Sequence, residues 1–235
     1  MDRRRFLASS LAFACRPERI PVRSCETAGR QGLAQSPTTL GPADFAPSSD
    51  CHMTEEQTTG PYYLCVDRHR SSIAEDRAGL PITLGFRVQD ELCAPIAGAI
   101  VDIWHCDAGG NYSGFDADPE LKAGTRRVKT TTTRFCRGSQ TTNAEGIAQF
   151  TSIFPGWYAG RTTHIHLRVY LPDGRTFTTQ TYFDEPTRDG VYLEPPYNGP
   201  RKARYRSNAD EGVRQDTVML IASGPELRAT ITLRP

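Results

Sequence analysis

No long stretch of this sequence repeats apolar residues with a helical period, and that limits the folds open to it. Short runs rich in β-branched and aromatic residues recur instead: ITLGFRVQ (82–89), AIVDIWH (99–105), GIAQFTSI (146–153), HIHLRVYL (164–171), TFTTQTYF (176–183), TVMLIAS (217–223) and RATITL (228–233). Clusters of Gly, Pro, Asn and Asp separate them. Many short strands with frequent turns predict an all-β fold, an antiparallel β-sandwich. LPDGRTF (171–177) reads as a hairpin turn. Residues 184–216, rich in Pro, Tyr, Arg and Asp, are expected to form a long ordered surface loop. Such a loop inside a compact domain is often functional.

The 235 residues suffice for one domain with a real core, expected over 51–235. The 28 basic and 27 acidic residues are spread along the chain and leave a net charge of +1, so nucleic acid has no electrostatic claim as a partner. No run approaches the ~20 apolar residues of a membrane span. The start, MDRRRFLASSLAFAC, has a charged head and a short apolar run, the layout of an export signal over residues 1–25. RRRFL resembles the twin-arginine type. This predicts export to the periplasm or outside the cell. The plain alternative is a weakly basic disordered start on a cytoplasmic protein. Cys15 lacks the leucine usual three residues before a lipidation site. Residues 26–50, rich in Ser, Thr, Pro, Ala and Gly, read as a disordered tether.

The cysteines are Cys15, Cys25, Cys51, Cys65, Cys93, Cys106 and Cys136, and no spacing matches a zinc knuckle or redox pair. Export would favour some pairing. The odd number beyond residue 50 leaves at least one thiol free or bonded elsewhere.

Chemistry concentrates in YAGRTTHIH (158–166). His164 and His166 are two apart in a strand-like run and therefore share one face. Neutral imidazole is the commonest metal ligand. A turn containing Gly160 can fold Tyr158 back beside them, and Tyr112 lies in a Gly-rich loop after the run 99–105. Two phenolates with two imidazoles suit a hard trivalent ion: they lower its charge from +3 to +1, and the ion lowers the phenol pKa far below ~10. Arg161, three residues before His164, can reach the open side of such a site and stabilise developing negative charge. Gln180 lies mid-strand in TFTTQTYF. The plainer readings are partly buried histidines, core tyrosines, a surface salt bridge for Arg161 and a solvent-facing Gln180.

Five segments, in this order, resemble the intradiol ring-cleavage dioxygenases of the protocatechuate and catechol type, and among them the secreted branch: EQTTGPYYL (56–64), APIAGAIVDIWHCDAGGNYSGF (94–115), FPGWYAGRTTHIHLRV (154–169), TFTTQTYF (176–183) and PPYNG (195–199). The resemblance implies non-haem Fe(III) held by Tyr112, Tyr158, His164 and His166, with hydroxide or water as a fifth ligand. It implies that a catechol displaces the hydroxide and Tyr158. Arg161 and Gln180 then stabilise the anionic ring while dioxygen inserts between the hydroxylated carbons, giving a cis,cis-muconate-type diacid. Pro61 and Tyr62 fall where family members line the substrate pocket. The implied partners are a catechol-type aromatic and dioxygen. Oligomeric state stays open, a homo-oligomer included. The sequence departs from the family in a shorter gap between Tyr158 and His164 than in protocatechuate enzymes, and in the lack of a helical N-terminal dimer linker.

Two other readings compete. A non-catalytic secreted β-sandwich adhesion or carbohydrate-binding module would share PIAGAIVDIW but has no reason to carry His-x-His with a second loop tyrosine. A cupin-type oxygenase uses His-x-His but wants a Glu soon after, where this chain has LRVYLPDG. His105, at a strand end, could support a ligand or simply pack; His52 and His69 have no assigned role. Asn111-Tyr112-Ser113 fits a glycosylation sequon that would obstruct the site, and in a bacterial host it has no meaning.

Overall fold

The structure, a computed structural model, describes residues 38–47, 51–65, 69–115, 131–199, 205–222 and 226–235. The expected export signal, residues 1–25, lies outside them. Among the described residues, eight strands build the fold: β1 (Pro81–Val88), β2 (Ile100–Trp104), β3 (Arg137–Thr141), β4 (Ile147–Ile153), β5 (His164–Tyr170), β6 (Thr176–Tyr182), β7 (Leu220–Ala222) and β8 (Leu227–Leu233). They form two four-stranded sheets, ordered β3-β2-β5-β6 and β4-β1-β8-β7.

The sandwich core follows from period-two alternation. Ile165, Leu167 and Val169 of β5 point inward and meet Leu84, Phe86, Phe150 and Ile231, all buried in one cluster. The other set of β5, His164, His166, Arg168 and Tyr170, therefore lies on the opposite face of its sheet. That face is also covered. Residues 54–60 run along the free edge of β6, where Gln57 N donates to Thr178 O at 2.8 Å and Thr179 Oγ1 donates to Glu55 O at 2.7 Å. The chain then crosses the face, setting Tyr63 against Trp104 with ring centroids 4.8 Å apart. Covering the β6 edge also removes a template for unwanted strand pairing. A Cys51–Cys93 disulfide ties this segment to the loop after β1. Cys65 is disulfide-bonded as well, whereas Cys106 and Cys136 are buried thiols outside any disulfide.

The structure departs from the expectations in four places. The sandwich is not wholly antiparallel: β1 and β8 pair in parallel. Parallel neighbours need a long crossover, and most of the domain lies between these two. Strand β3, RGSQT, was not expected because it lacks β-branched alternation, yet it pairs with β2 from Ile100↔Thr141 to Trp104↔Arg137. The 184–216 loop contains a short helix, α1 (Glu185–Val191), started by Asp184, whose side chain accepts from Thr187 N. Finally, the expected tether is docked at its far end. Leu40 and Phe45 are buried with Ile147, and Thr230 Oγ1 donates to Asp44 O at 2.7 Å. Gly85 makes room for them, since a Cβ there would come within 2.5 Å of Leu40 Cδ1.

Candidate metal centre

Register places the site before any loop is considered. On the covered face, Arg137, Trp104, His166 and Gln180 face one another across the four strands β3, β2, β5 and β6. His164 is paired with Tyr182 one step along. Trp104 stacks on the His166 ring, with centroids 5.2 Å apart and planes 1° from parallel. One side of that imidazole is therefore held by an aromatic wall.

Two loops deliver the phenols. After β2, the Asp107 carboxylate accepts from Gly109 N and Asn111 N, both at 2.9 Å, and curls the chain so that Tyr112 turns inward. After β4, the stretch through Gly156 to Gly160 carries Tyr158. The loops interlock at glycines: a Cβ on Gly110 would sit 2.1 Å from Trp157 O, and one on Gly156 would sit 2.4 Å from Ala108 O. Gly110 also has φ +85°, a conformation L side chains rarely adopt. Backbone approach at these two positions sets the separation of Tyr112 and Tyr158.

The four side chains converge. Nε2 of His164 lies 3.1 Å from Nε2 of His166, 3.2 Å from the Tyr158 hydroxyl and 3.3 Å from the Tyr112 hydroxyl. Nδ1 of His164 is 2.7 Å from Thr162 O, which can only accept, so Nδ1 carries the proton and Nε2 presents a lone pair. Nδ1 of His166 has no partner in hydrogen-bond geometry, although the Thr58 carbonyl is close enough to favour a proton on that ring. His164 and His166 are fully enclosed, and burial pushes His164 down to about 3 and His166 well below its ordinary value. Both rings are neutral at pH 7. Burial raises both phenols, with Tyr158 adding to the effect at Tyr112 and Arg161 opposing it at Tyr158.

This donor set fits a metal ion. A metal with bonds of about 2.0–2.1 Å would hold neighbouring donors roughly 2.9–3.4 Å apart, and the separations above fall in that range. The neutral imidazoles turn ring nitrogens toward one another, and phenols with raised pKa values become phenolates only beside a strong cation. Among the described residues no group of three or more His, Cys, Asp and Glu side chains could hold a metal. A metal here depends on the tyrosines.

Arg161 faces the same point. Its Nη2 donates to Gln180 Oε1 at 2.7 Å, its Nη1 to the Tyr158 hydroxyl at 3.3 Å and its Nε to Glu211 Oε1 at 2.8 Å. Burial alone would lower its pKa, but the neighbouring Tyr158 and Glu211 raise it instead. Gln180 Nε2 donates to Thr58 O at 3.2 Å, which fixes the amide orientation. Tyr62 stacks on Tyr112 with centroids 4.1 Å apart and meets Tyr158 edge-on at 5.7 Å. Pro61 sits in the turn between Tyr62 and Gly60, and a Cβ on Gly60 would touch His166 Cε1 at 3.0 Å. The structure thus gathers Tyr112, Tyr158, Arg161, His164, His166, Gln180 and Tyr62.

The family model described as Dioxygenase matches residues 59–190, a span containing all of these side chains. The chain belongs to the intradiol dioxygenase family. Catechol 1,2-dioxygenase 2 of Acinetobacter lwoffii is 29% identical over 154 residues, covering 56% of this chain and 51% of that one. This intradiol dioxygenase family member thus spans about half the length of the curated relatives it matches. An intradiol ring-cleavage dioxygenase from Tetranychus urticae superposes with a TM-score of 0.72 at 34% identity, covering 78% of this chain and 94% of that one. The dioxygenase domain of a carbohydrate-binding fusion protein from a Streptomyces species does so with a TM-score of 0.54 at 26% identity, covering 78% and 98%.

Other histidines stand apart from the centre. His105 points the other way, its Nε2 meeting Ser152 Oγ and its Nδ1 meeting Cys106 O, both at 2.8 Å, so it packs and does not support a ligand. His69 bridges to β3 at Ser139, and His52 lines a groove beside β7 and β8. The sequence reading missed Trp104 and Glu211 as site residues. The β2–β5 register would have found Trp104. No local pattern marks Glu211, which lies 50 residues from Arg161.

Proposed function

We propose that this chain is a non-haem Fe(III) intradiol dioxygenase. It cleaves a catechol-type ring between its two hydroxylated carbons with dioxygen, yielding a cis,cis-muconate-type diacid. The observation that carries this reading is the convergence of two phenols on an imidazole pair, with Arg161 and Gln180 beside them.

Tyr112, Tyr158, His164 and His166 would hold the ion. When bound, ferric iron supplies Lewis acidity that draws electron density from a chelated catecholate. With the ion bound, Tyr158 would be a phenolate and could take a substrate proton as a local base, its oxygen held in place by the hydrogen bond from Arg161 Nη1. Arg161 and Gln180, already hydrogen-bonded to each other, present fixed dipoles and charge to the anionic ring and need little reorganisation to do so. Tyr62, Trp104, Tyr112 and Phe115 are buried together in one cluster beside these groups and would shield that side of a bound ring from water. We also propose export of the mature domain, supported by the charged and apolar start of the sequence.

The test is oxygen uptake by iron-loaded protein with catechol, protocatechuate and hydroxyquinol in turn. One dioxygen should be consumed per ring opened, and both its atoms should appear in the diacid. Iron-loaded protein that consumes no oxygen with any of the three would overturn the proposal.

A further inference from the structure

Arg161 has a partner outside the matched family span. Glu211 ends a single 3-10 turn, Ala209–Glu211, closed by Gly212 at φ +65°. Its Oε1 accepts from Arg161 Nε at 2.8 Å and from Thr162 N at 3.0 Å. The Glu211 side chain is only 8% exposed, unlike an ordinary surface ion pair.

The turn grips the same stretch at further points. Asn208 Oδ1 accepts from Thr162 Oγ1 at 2.8 Å, and Arg206 N donates to Arg161 O at 3.2 Å. Asn208 is itself tied to Phe183 O at 2.8 Å. With Nε anchored, the plane of the guanidinium is set, and its two terminal nitrogens are left to meet Tyr158 and Gln180. The backbone contact reaches further, since Thr162 O is the acceptor for His164 Nδ1. One carboxylate oxygen thus orients the arginine directly and the His164 ring through one residue of backbone.

We propose that Glu211 is a positioning residue for the reaction: it aims Arg161 at the substrate side of the site and steadies His164. This rests on the proposed dioxygenase activity. A carboxylate that merely pinned the loop would affect melting and leave turnover alone. A positioning role predicts loss in kcat with KM little changed, because aim matters most when charge develops.

The experiment compares iron-loaded wild-type protein, Glu211→Ala, Glu211→Asp and Glu211→Gln with catechol as substrate. In parallel, hydrogen exchange of the Arg161 Nε–H is followed by NMR in the metal-free proteins. Glu211→Ala should lower kcat by ~10–100-fold, the usual cost of losing a residue that orients a ligand. Glu211→Gln keeps an acceptor oxygen in place and should recover most of that loss. Glu211→Asp, one methylene shorter, should fall with Glu211→Ala and serves if the alanine variant does not fold. The Arg161 Nε–H should be protected in wild type and Glu211→Gln and exposed in Glu211→Ala. Unchanged kcat in Glu211→Ala, or unchanged Nε–H exchange, overturns the assignment. Wild-type protein that opens no ring, with Nε–H protection still lost in Glu211→Ala, would sink the activity and support the positioning.

Discussion

The hydroxyl of Tyr158 lies 3.2 Å from Nε2 of His164, six residues further along the chain. A strand cannot make that contact alone. It requires the turn at Gly160, φ +80°, to send the phenol back over the start of β5. The same imidazole nitrogen meets Tyr112 at 3.3 Å, from a loop 52 residues earlier. The centre is therefore a property of two interlocked loops resting on one sheet face, and its parts can be removed separately.

Removing one phenol oxygen tests the donor set. Tyr112→Phe keeps the stack on Tyr62, so the metal-free protein should melt within a few degrees of wild type. Iron retention on dialysis against a chelator should fall by at least ~10-fold, since losing even a supporting residue costs that much. Tyr158→Phe should behave likewise.

Loop interlock makes a separate prediction. Gly110→Ala would drive a Cβ to 2.1 Å from Trp157 O, parting the loops that carry Tyr112 and Tyr158. Stability should fall by more than ~1–2 kcal/mol, the cost of a left-handed residue alone, and iron binding should be lost. Gly98→Ala is the control: φ is +77°, but nothing lies within 4 Å of its Cβ. It should show only the smaller penalty and bind iron normally. Urea melts with metal analysis of both variants decide this.

Arg161→Lys retains charge but cannot span Gln180, Tyr158 and Glu211 together. Iron content should be unchanged. The kcat for catechol should drop by ~100–1,000-fold, the range seen when a preorganised charge-stabilising donor is removed. Steady-state kinetics on iron-loaded protein measure it.

The buried histidines set a pH dependence in the metal-free protein. Burial holds His105 at about 4, against 6.5 when exposed. Above pH 6.5 both folded and unfolded states carry it neutral. Between 6.5 and about 4 the unfolded state binds a proton that the folded state refuses, so stability falls as pH falls. The full effect for His105 is about 3 kcal/mol. Urea midpoints should therefore decline from pH 7 toward pH 4, and less steeply in His105→Gln.

Much of this was legible because it is local. The two-residue spacing of His164 and His166 fixes a shared face, and the Gly-containing stretch before them announces a turn. The rest depends on contacts distant in sequence. Strand β3 has buried Arg137 and Ser139, which face Trp104 and Asp102 of β2 on the covered side, and buried Gln140, which pairs with Val101 on the core side, all where a pattern reading wants apolar residues. The parallel β1–β8 pair leaves no mark on either strand. Leu40 and Phe45 stand in a stretch rich in Ser, Thr, Pro, Ala and Gly that shows no periodicity, and only the space above Gly85 explains their burial. Glu211 is one acid among many in residues 184–216 until Arg161 is seen beside it.

The most direct test of the centre is the visible spectrum of the purified protein beside a metal assay of the same sample. Tyr112 and Tyr158 bound as phenolates to ferric iron would give a broad visible absorption, with about one iron per chain, and Tyr158→Phe would shift or weaken the band. A colourless protein carrying zinc, or one that takes up no ferric iron, would contradict the account.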